Sequence, residues 1–344
     1  MRRSLTLVTA LLLLCIPRQA GAVPVFAHRY GLECQACHTT VPHLNAFGDA
    51  FARNGFRLPR AGRQALPVAV KVNLAYSSDA SSDGLPRTVV DEVELLTGGA
   101  IGPHVNYFLE QYAIDGGVPG LPRDAWLQYN GSSGDHLRAG QFTLPLPVDP
   151  ETQRDTLAHY LVYDQRVGEN PFTFFDPRIG LEMYHANDRG DGVHLAALAA
   201  HDRRSGDPSS GVDLMAYGTR TFGDFTLYAY RYQGQRQLGD MHDAFFRQAL
   251  GARQRIGKFD LVAVAQRGKD TDADSSGGFA EAHYVFSSGL MAVARYDRAW
   301  DSLTGLQHQT VMSLVTRPAR NMRFTVEDQI TDHHTLNLGL LFAY

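Results

Sequence analysis

The sequence predicts an all-β chain, a transmembrane antiparallel β-barrel of about sixteen strands with a small α-helical segment ahead of it. Three observations lead there. From residue 67 to residue 344, segments that alternate apolar with polar or small residues recur, the mark of strands with two unlike faces. Tight turns and mostly longer polar loops take turns between them, and the number of segments is even, the layout of an outer-membrane barrel. After residue 22 no uninterrupted apolar run approaches the ~20 residues of a membrane helix, so spanning by helices is excluded. The 32 basic and 36 acidic residues nearly balance, which gives no reason to expect nucleic acid, and 3 cysteines are too few for a disulfide scaffold.

From the N-terminus, residues 1–22 read as a signal peptide. Arg2 and Arg3 supply a charged start, Leu5 to Ile16 an apolar run, and Ala20-Gly21-Ala22 a small-residue cleavage site. The run is too short to anchor, so an exported chain beginning near Val23 is expected.

Two cysteines then remain, in Cys34-Gln35-Ala36-Cys37-His38. A dithiol redox motif wants a βαβ context that the flanks lack, and a zinc site wants a second pair of soft ligands. Covalent haem attachment wants a His directly after the second Cys, so that two thioethers and the proximal imidazole reach one porphyrin. The pentapeptide therefore predicts one covalently bound haem c, with Cys34 and Cys37 as anchors and His38 as the proximal iron ligand. A helix opened by Pro42 and closed by Gly55 follows, with Leu44, Phe47 and Phe51 on one face and the two phenylalanines against the porphyrin. Residues 23–66, segment and linker together, form a unit below the size that usually folds unaided, so the haem and a larger neighbour must supply buried area.

That neighbour is the barrel, residues 67–344. Strands are expected near 67–77, 90–101, 104–114, 122–131, 135–145, 177–186, 191–201 and 210–221, then near 223–234, 243–256, 258–268, 278–287, 289–298, 305–317, 320–331 and 334–344. Most have the length a tilted membrane strand needs, longer than the usual soluble strand. A soluble sandwich or propeller is the competing all-β reading. Against it stands the last segment, where Leu336, Leu338, Leu340, Phe342 and Tyr344 form a greasy face ending on an aromatic.

The stretch Phe26-Ala27-His28-Arg29-Tyr30-Gly31, then Cys34 to His38, Pro42, Leu44, Asn45, Phe47-Gly48, Phe51 and Gly55-Phe56 resembles the fused monohaem cytochrome–porin proteins of the outer membrane. The specific match covers about thirty residues, and the barrel matches only in layout and ending. The resemblance implies Cys34 and Cys37 as thioether anchors, His38 as proximal ligand, and an electron-transfer role. The best-known members oxidise ferrous iron and pass the electrons inward.

A sixth iron ligand is less legible. Met183 is the first methionine after Met1, so the haem segment offers none. His43 follows His38 on a stretch expected to stay on the proximal side. His28 precedes the cysteine pair on a stretch able to cross the distal face and is the candidate, beside a lumen-facing barrel side chain or no sixth protein ligand. The longest loop, about Leu146 to Pro177, joins strands five and six. It is expected to fold inward as a constriction against the haem segment or to form an extracellular flap, with a short helix within 151–167. Asp270, Asp272 and Asp274 alternate in another outward loop, as a solvated tip or a collector of hard cations. Asp332-His333-His334 in the last outer turn reads the same way.

Two functions fit. In the first, an outer-membrane cytochrome–porin carries electrons through one haem in the lumen, from an extracellular donor such as Fe(II) to a periplasmic cytochrome or other carrier. In the second, a diffusion porin carries the haem segment as a structural or regulatory plug. An even strand count puts residue 66 and Tyr344 on the periplasmic side. A conduit then requires residues 23–59 to be threaded up into the lumen, with Lys71, Asn73, Glu281 and His283 around them and Arg29, Asp49 and Arg53 facing the wall.

Overall fold

The structure, a computed structural model, describes residues 25–40, 42–58, 68–79, 87–131, 134–151, 153–200, 211–238, 241–287, 289–319 and 321–343. The signal peptide, most of the linker before residue 68 and Tyr344 lie outside them.

Sixteen antiparallel strands close a barrel in chain order. They are β1 Val68–Ser77, β2 Thr88–Ile101, β3 Val105–Asp115, β4 Pro122–Asn130, β5 Asp135–Phe142, β6 Arg178–Ala186, β7 Gly192–Ala199 and β8 Val212–Phe222. The second half is β9 Phe225–Leu238, β10 Met241–Ile256, β11 Phe259–Lys269, β12 Asp274–Ser287, β13 Leu290–Asp301, β14 Gly305–Thr316, β15 Met322–Ile330 and β16 His334–Ala343. A two-residue strand, Val118–Pro119, decorates the β3–β4 hairpin. The seam pairs β16 with β1 from Asn337 opposite Ser77 to Ala343 opposite Lys71, so no edge is left open.

Alternation along each strand separates lipid from lumen. On β11, Asp260, Val262, Val264 and Gln266 are buried inward, while Phe259, Leu261, Ala263 and Ala265 face out. Around the wall Leu127, Leu181, Met183, Leu195, Leu250 and Leu314 are all exposed. Such a girdle suits hydrocarbon, where a closed barrel satisfies every backbone group within the wall. The inner face carries charge in pairs: Arg236 meets Asp213 at 2.7 Å and Arg295 meets Asp297 at 2.7 Å, all buried.

Two segments enter the lumen. Residues 143–151 and 153–177, between β5 and β6, fold inward instead of standing as a flap. Tyr160, Val162, Tyr163, Phe172 and Phe174 from this loop join Tyr230, Tyr232, Phe245, Val264 and Phe279 of the wall in one apolar cluster. The wall also holds the loop by charge, since Glu327 accepts hydrogen bonds from Leu157 N and Ala158 N, each at 2.7 Å. The helix expected within 151–167 shrinks to one turn, Leu161–Asp164, because the loop spends its apolar side chains on the wall.

The second is the N-terminal segment. It comprises α1 Val25–Tyr30, α2 Cys34–Cys37, a small antiparallel bridge of His38–Thr40 with His43–Leu44, and α3 Ala46–Arg53. It sits against wall residues near the ends of the strands that the short turns join. The Cβ that Gly98 of β2 lacks would stand 3.2 Å from Val25 Cγ1, and that of Gly99 2.5 Å from an Arg29 guanidinium nitrogen. The two glycines are therefore where the wall admits α1. Phe26 stacks on Phe56 at 4.8 Å and Phe56 on Trp126 of β4 at 6.1 Å, an aromatic path from segment to wall. Asp49 meets Arg255 of β10 at 2.6 Å. The segment is lodged inside the barrel.

Candidate haem site in the barrel lumen

The helix that packs on the cysteine motif does not begin at Pro42. Asn45 caps it, its side-chain oxygen accepting from Gly48 N at 3.0 Å, and Pro42 stays in the preceding turn because its carbonyl is committed elsewhere. Gly55, at φ 63°, ends it as expected: Phe56 N donates to Phe51 O at 3.0 Å and Gly55 N to Ala52 O at 3.1 Å, a Schellman ending.

Asn45 also ties this helix to the motif. Its amide donates to Gln35 O at 3.2 Å and Ala36 O at 3.1 Å, and its backbone N donates to Cys37 O at 2.9 Å. The crossing is close. A Cβ on Gly48 would stand 2.2 Å from Cys37 O, so only glycine fits where α3 passes the second cysteine.

His38 Nδ1 lies 3.0 Å from Pro42 O. A carbonyl can only accept, so Nδ1 carries the proton and Nε2 is left with its lone pair, the arrangement that orients a metal-bound imidazole. Burial lowers the His38 pKa, which favours the neutral, ligating form. His38 and Cys37 line a cavity of about 1300 Å³ together with Phe26, Phe51 and Phe56. A tautomer-fixed imidazole and a cysteine on a space that three phenylalanines also line fit a haem anchored at this motif. The cavity also touches residues of both mouths, Asp79 and His333 at one end and Gly223 and Asp224 at the short-turn end.

The remaining expected site residues distribute unevenly. Phe51 is buried and lines the cavity, whereas Phe47 is 42% exposed and reaches it only by stacking on Phe51 at 6.5 Å. With Asn45 as cap, α3 turns so that of its two phenylalanines Phe51 is the one on the cavity. Cys34 opens α2 and His28 lies within α1; the readings that need their side chains fall outside what is described. His43 is buried, with Nδ1 2.8 Å from Asp155 Oδ2 and Nε2 3.2 Å from Asp260 Oδ2, so it offers no nitrogen toward a haem iron. Lys71, Asn73, Glu281 and His283 face inward as expected, and the His283 ring lies 4.6 Å from that of His43. Asp270 is no solvated tip; it is buried against Arg247 at 2.7 Å and bonded by Asn170 at 2.9 Å, while Asp272 and Asp274 stay exposed. His333 pairs with Asp79 at 2.9 Å and His334 with Asp328 at 3.1 Å, in the open.

Sequence reasoning missed Asp155 and Asp260. Inward parity on β11 could have flagged Asp260, but no local pattern announces that loop residue 155 reaches a histidine 112 positions away.

Fold and lumen together define the class, a sixteen-stranded outer-membrane barrel of porin architecture. The chain is similar to the anion-selective porin from Comamonas acidovorans, with TM-score 0.65 and 14% identity over 81% of this chain and 99% of that one. It is also similar to OmpF of Salmonella typhi, TM-score 0.65 and 12% identity over 81% and 97% of the two chains. With the outer-membrane channel DcaP of Acinetobacter baumannii the TM-score is 0.58 and the identity 13%, over 82% and 98%. At these identities the likeness concerns the fold alone. No family model matches the chain, and no curated protein aligns with it.

Proposed function

We propose that this barrel is an electron-transfer cytochrome–porin, holding one covalent haem c in its lumen between an extracellular donor such as Fe(II) and a periplasmic cytochrome or other carrier. The observation that carries the reading is the lodging of residues 25–58 inside the wall, with His38 Nδ1 tied to Pro42 O and its other nitrogen left free to bind iron. When bound, the haem would supply a one-electron Fe(III)/Fe(II) couple. Cys34 and Cys37 would anchor it, His38 would be its proximal ligand, and His28 is the proposed sixth. Phe26, Phe51 and Phe56 would exclude water from one side, which tunes the potential of such a centre. A donor entering past Asp79 and His333 would meet the cavity that leads to His38.

The experiment adds an impermeant reductant to intact cells and follows the haem spectrum. Reduction within the mixing time is the expected result. A haem that is covalently present yet silent to the external donor would overturn the conduit.

One observation favours the second reading, a diffusion porin whose haem segment is a plug. The cavity is bounded by residues of both mouths, and the similar solved structures are porins and channels by description. Solute uptake by vesicles, together with a silent haem, would select it.

A further inference from the structure

Two histidines and a carboxylate from three separate parts of the chain converge in the lumen. His43 comes from the N-terminal segment, Asp155 from the inward loop and His283 from the inner face of β12. All three are buried, and their candidate ligand atoms lie within 4.8 Å of one another. His43 Nδ1 stands 2.8 Å from Asp155 Oδ2, and His283 Nε2 stands 3.1 Å from the same oxygen. Glu281 Oε1 is 3.1 Å from His283 Nε2.

The far side of each ring is the telling part. His283 Nδ1 lies 3.2 Å from the Asp260 carbonyl, which can only accept, so that nitrogen carries the proton and Nε2 is left for the cluster. His43 lies between two carboxylates, with Nε2 3.2 Å from Asp260 and Nδ1 2.8 Å from Asp155, so an ion bound beside Asp155 would replace the proton on Nδ1 while Asp260 keeps the one on Nε2. One residue thus orients both imidazoles, by its backbone and by its side chain, as outer partners orient metal-bound histidines. A second observation is independent of that geometry. Asp155 Oδ1 and His283 Nε2 are buried, and neither makes a hydrogen bond of sound geometry among the described residues. Buried polar atoms are ordinarily satisfied, and His283 Nε2, held between two carboxylate oxygens at 3.1 Å with a well-made hydrogen bond to neither, marks a place for a missing partner.

We propose that His43, Asp155 and His283, with Glu281 at the edge, bind one divalent first-row transition-metal ion. Two imidazoles with one or two carboxylates suit Fe(II), Mn(II) or Zn(II), whereas Mg(II) and Ca(II) prefer all-oxygen sites. The ion would join the lodged segment, the loop and the wall at one point. Leu44 and Thr156, each one residue from a ligand, line the cavity that touches the outer mouth, so the site lies directly behind its wall. The inference does not rest on the haem reading.

The test uses the full-length protein as purified in detergent, dialysed against Zn(II) as a redox-silent probe. It is read by metal analysis and by X-ray absorption at the zinc edge. We expect one Zn(II) per chain, with two imidazole nitrogens at ~2.0–2.1 Å, displaced by a large excess of Fe(II) or Mn(II) and not by the same excess of Mg(II). H283N and D155N should each weaken binding tenfold or more, while H333N at the exposed outer turn leaves it unchanged. Heat-shifted migration on a gel shows that each variant has closed its barrel, and if one has not, the wild-type spectrum decides alone. Absence of bound zinc, ligation by sulfur or by oxygen only, or binding that survives both substitutions in closed barrels would overturn the site. Because zinc carries no electrons, a failed electron-transfer assay and a failed zinc assay are separate results.

Discussion

Asn45 holds the candidate haem site together more than any aromatic does. Its side chain starts α3 through Gly48 N and reaches back to the carbonyls of Gln35 and Ala36. Asn45→Ala should cost about 0.5–2 kcal/mol for the lost cap and leave the cysteine turn without its clip. The expected outcome is a weaker haem-stained band on a denaturing gel with the barrel still heat-modifiable. Gly48→Val is the harsher test, because the added Cβ would meet backbone, Cys37 O at 2.2 Å, which no side-chain rotation relieves. It should abolish the stained band. Cys34→Ser and Cys37→Ser should each leave at most one thioether, and a wild-type band that stains for protein but not for haem would remove the haem altogether. The pentapeptide and its flanking phenylalanines were legible in the sequence. The clip was not, because a carbonyl-seeking Asn looks the same as any other Asn until the turn it serves has closed.

At the scale of elements, the inward loop explains both what was legible and what was not. Period-two alternation placed β11 and β14 within a residue or two of their ends, since each carries a clean lipid face and a clean lumen face. It missed the start of β12, expected at residue 278 and found at Asp274. Ser275-Ser276-Gly277-Gly278 reads as a loop, yet its small residues are what the wall requires there. A Cβ on Gly277 would stand 2.6 Å from Arg298 O of the neighbouring strand and 3.2 Å from Val162 of the inward loop, and one on Gly278 2.1 Å from Val264 O. Sequence periodicity cannot report a demand set by the backbone of neighbouring strands and by the loop inside them. The loop's hold on the wall is testable at Glu327, which accepts from Leu157 N, Ala158 N and Ser313 Oγ. Hydrogen bonds to a charged acceptor contribute about 1.5–3 kcal/mol each, so Glu327→Ala should loosen residues 143–177. Cleavage of that loop by protease added to whole cells, absent in wild type, is the expected outcome.

For the whole molecule, the lodged segment and the folded loop share a lumen that a sixteen-stranded barrel could otherwise offer to water. Single-channel conductance in planar bilayers should therefore be low for the strand count and rise when residues 23–59 are deleted. A conductance that the deletion leaves unchanged would mean that the segment does not obstruct the pore. Fractionation with outer membranes and heat-shifted migration are expected of the wild-type chain, because the exposed Leu, Met and Phe of the outer wall have no other solvent to suit them.

The seam between β16 and β1 sets an order in time. Attachment of haem needs the Cys34–His38 turn open to a maturation enzyme, and that turn lies inside the closed wall, a short stretch of chain before β1. On the haem reading, loading must come first and sealing of Ala343 against Lys71 last. A cell that exports the chain while its haem supply is cut would accumulate barrels that stay colourless for life, even after supply returns. Only newly made chains would turn red.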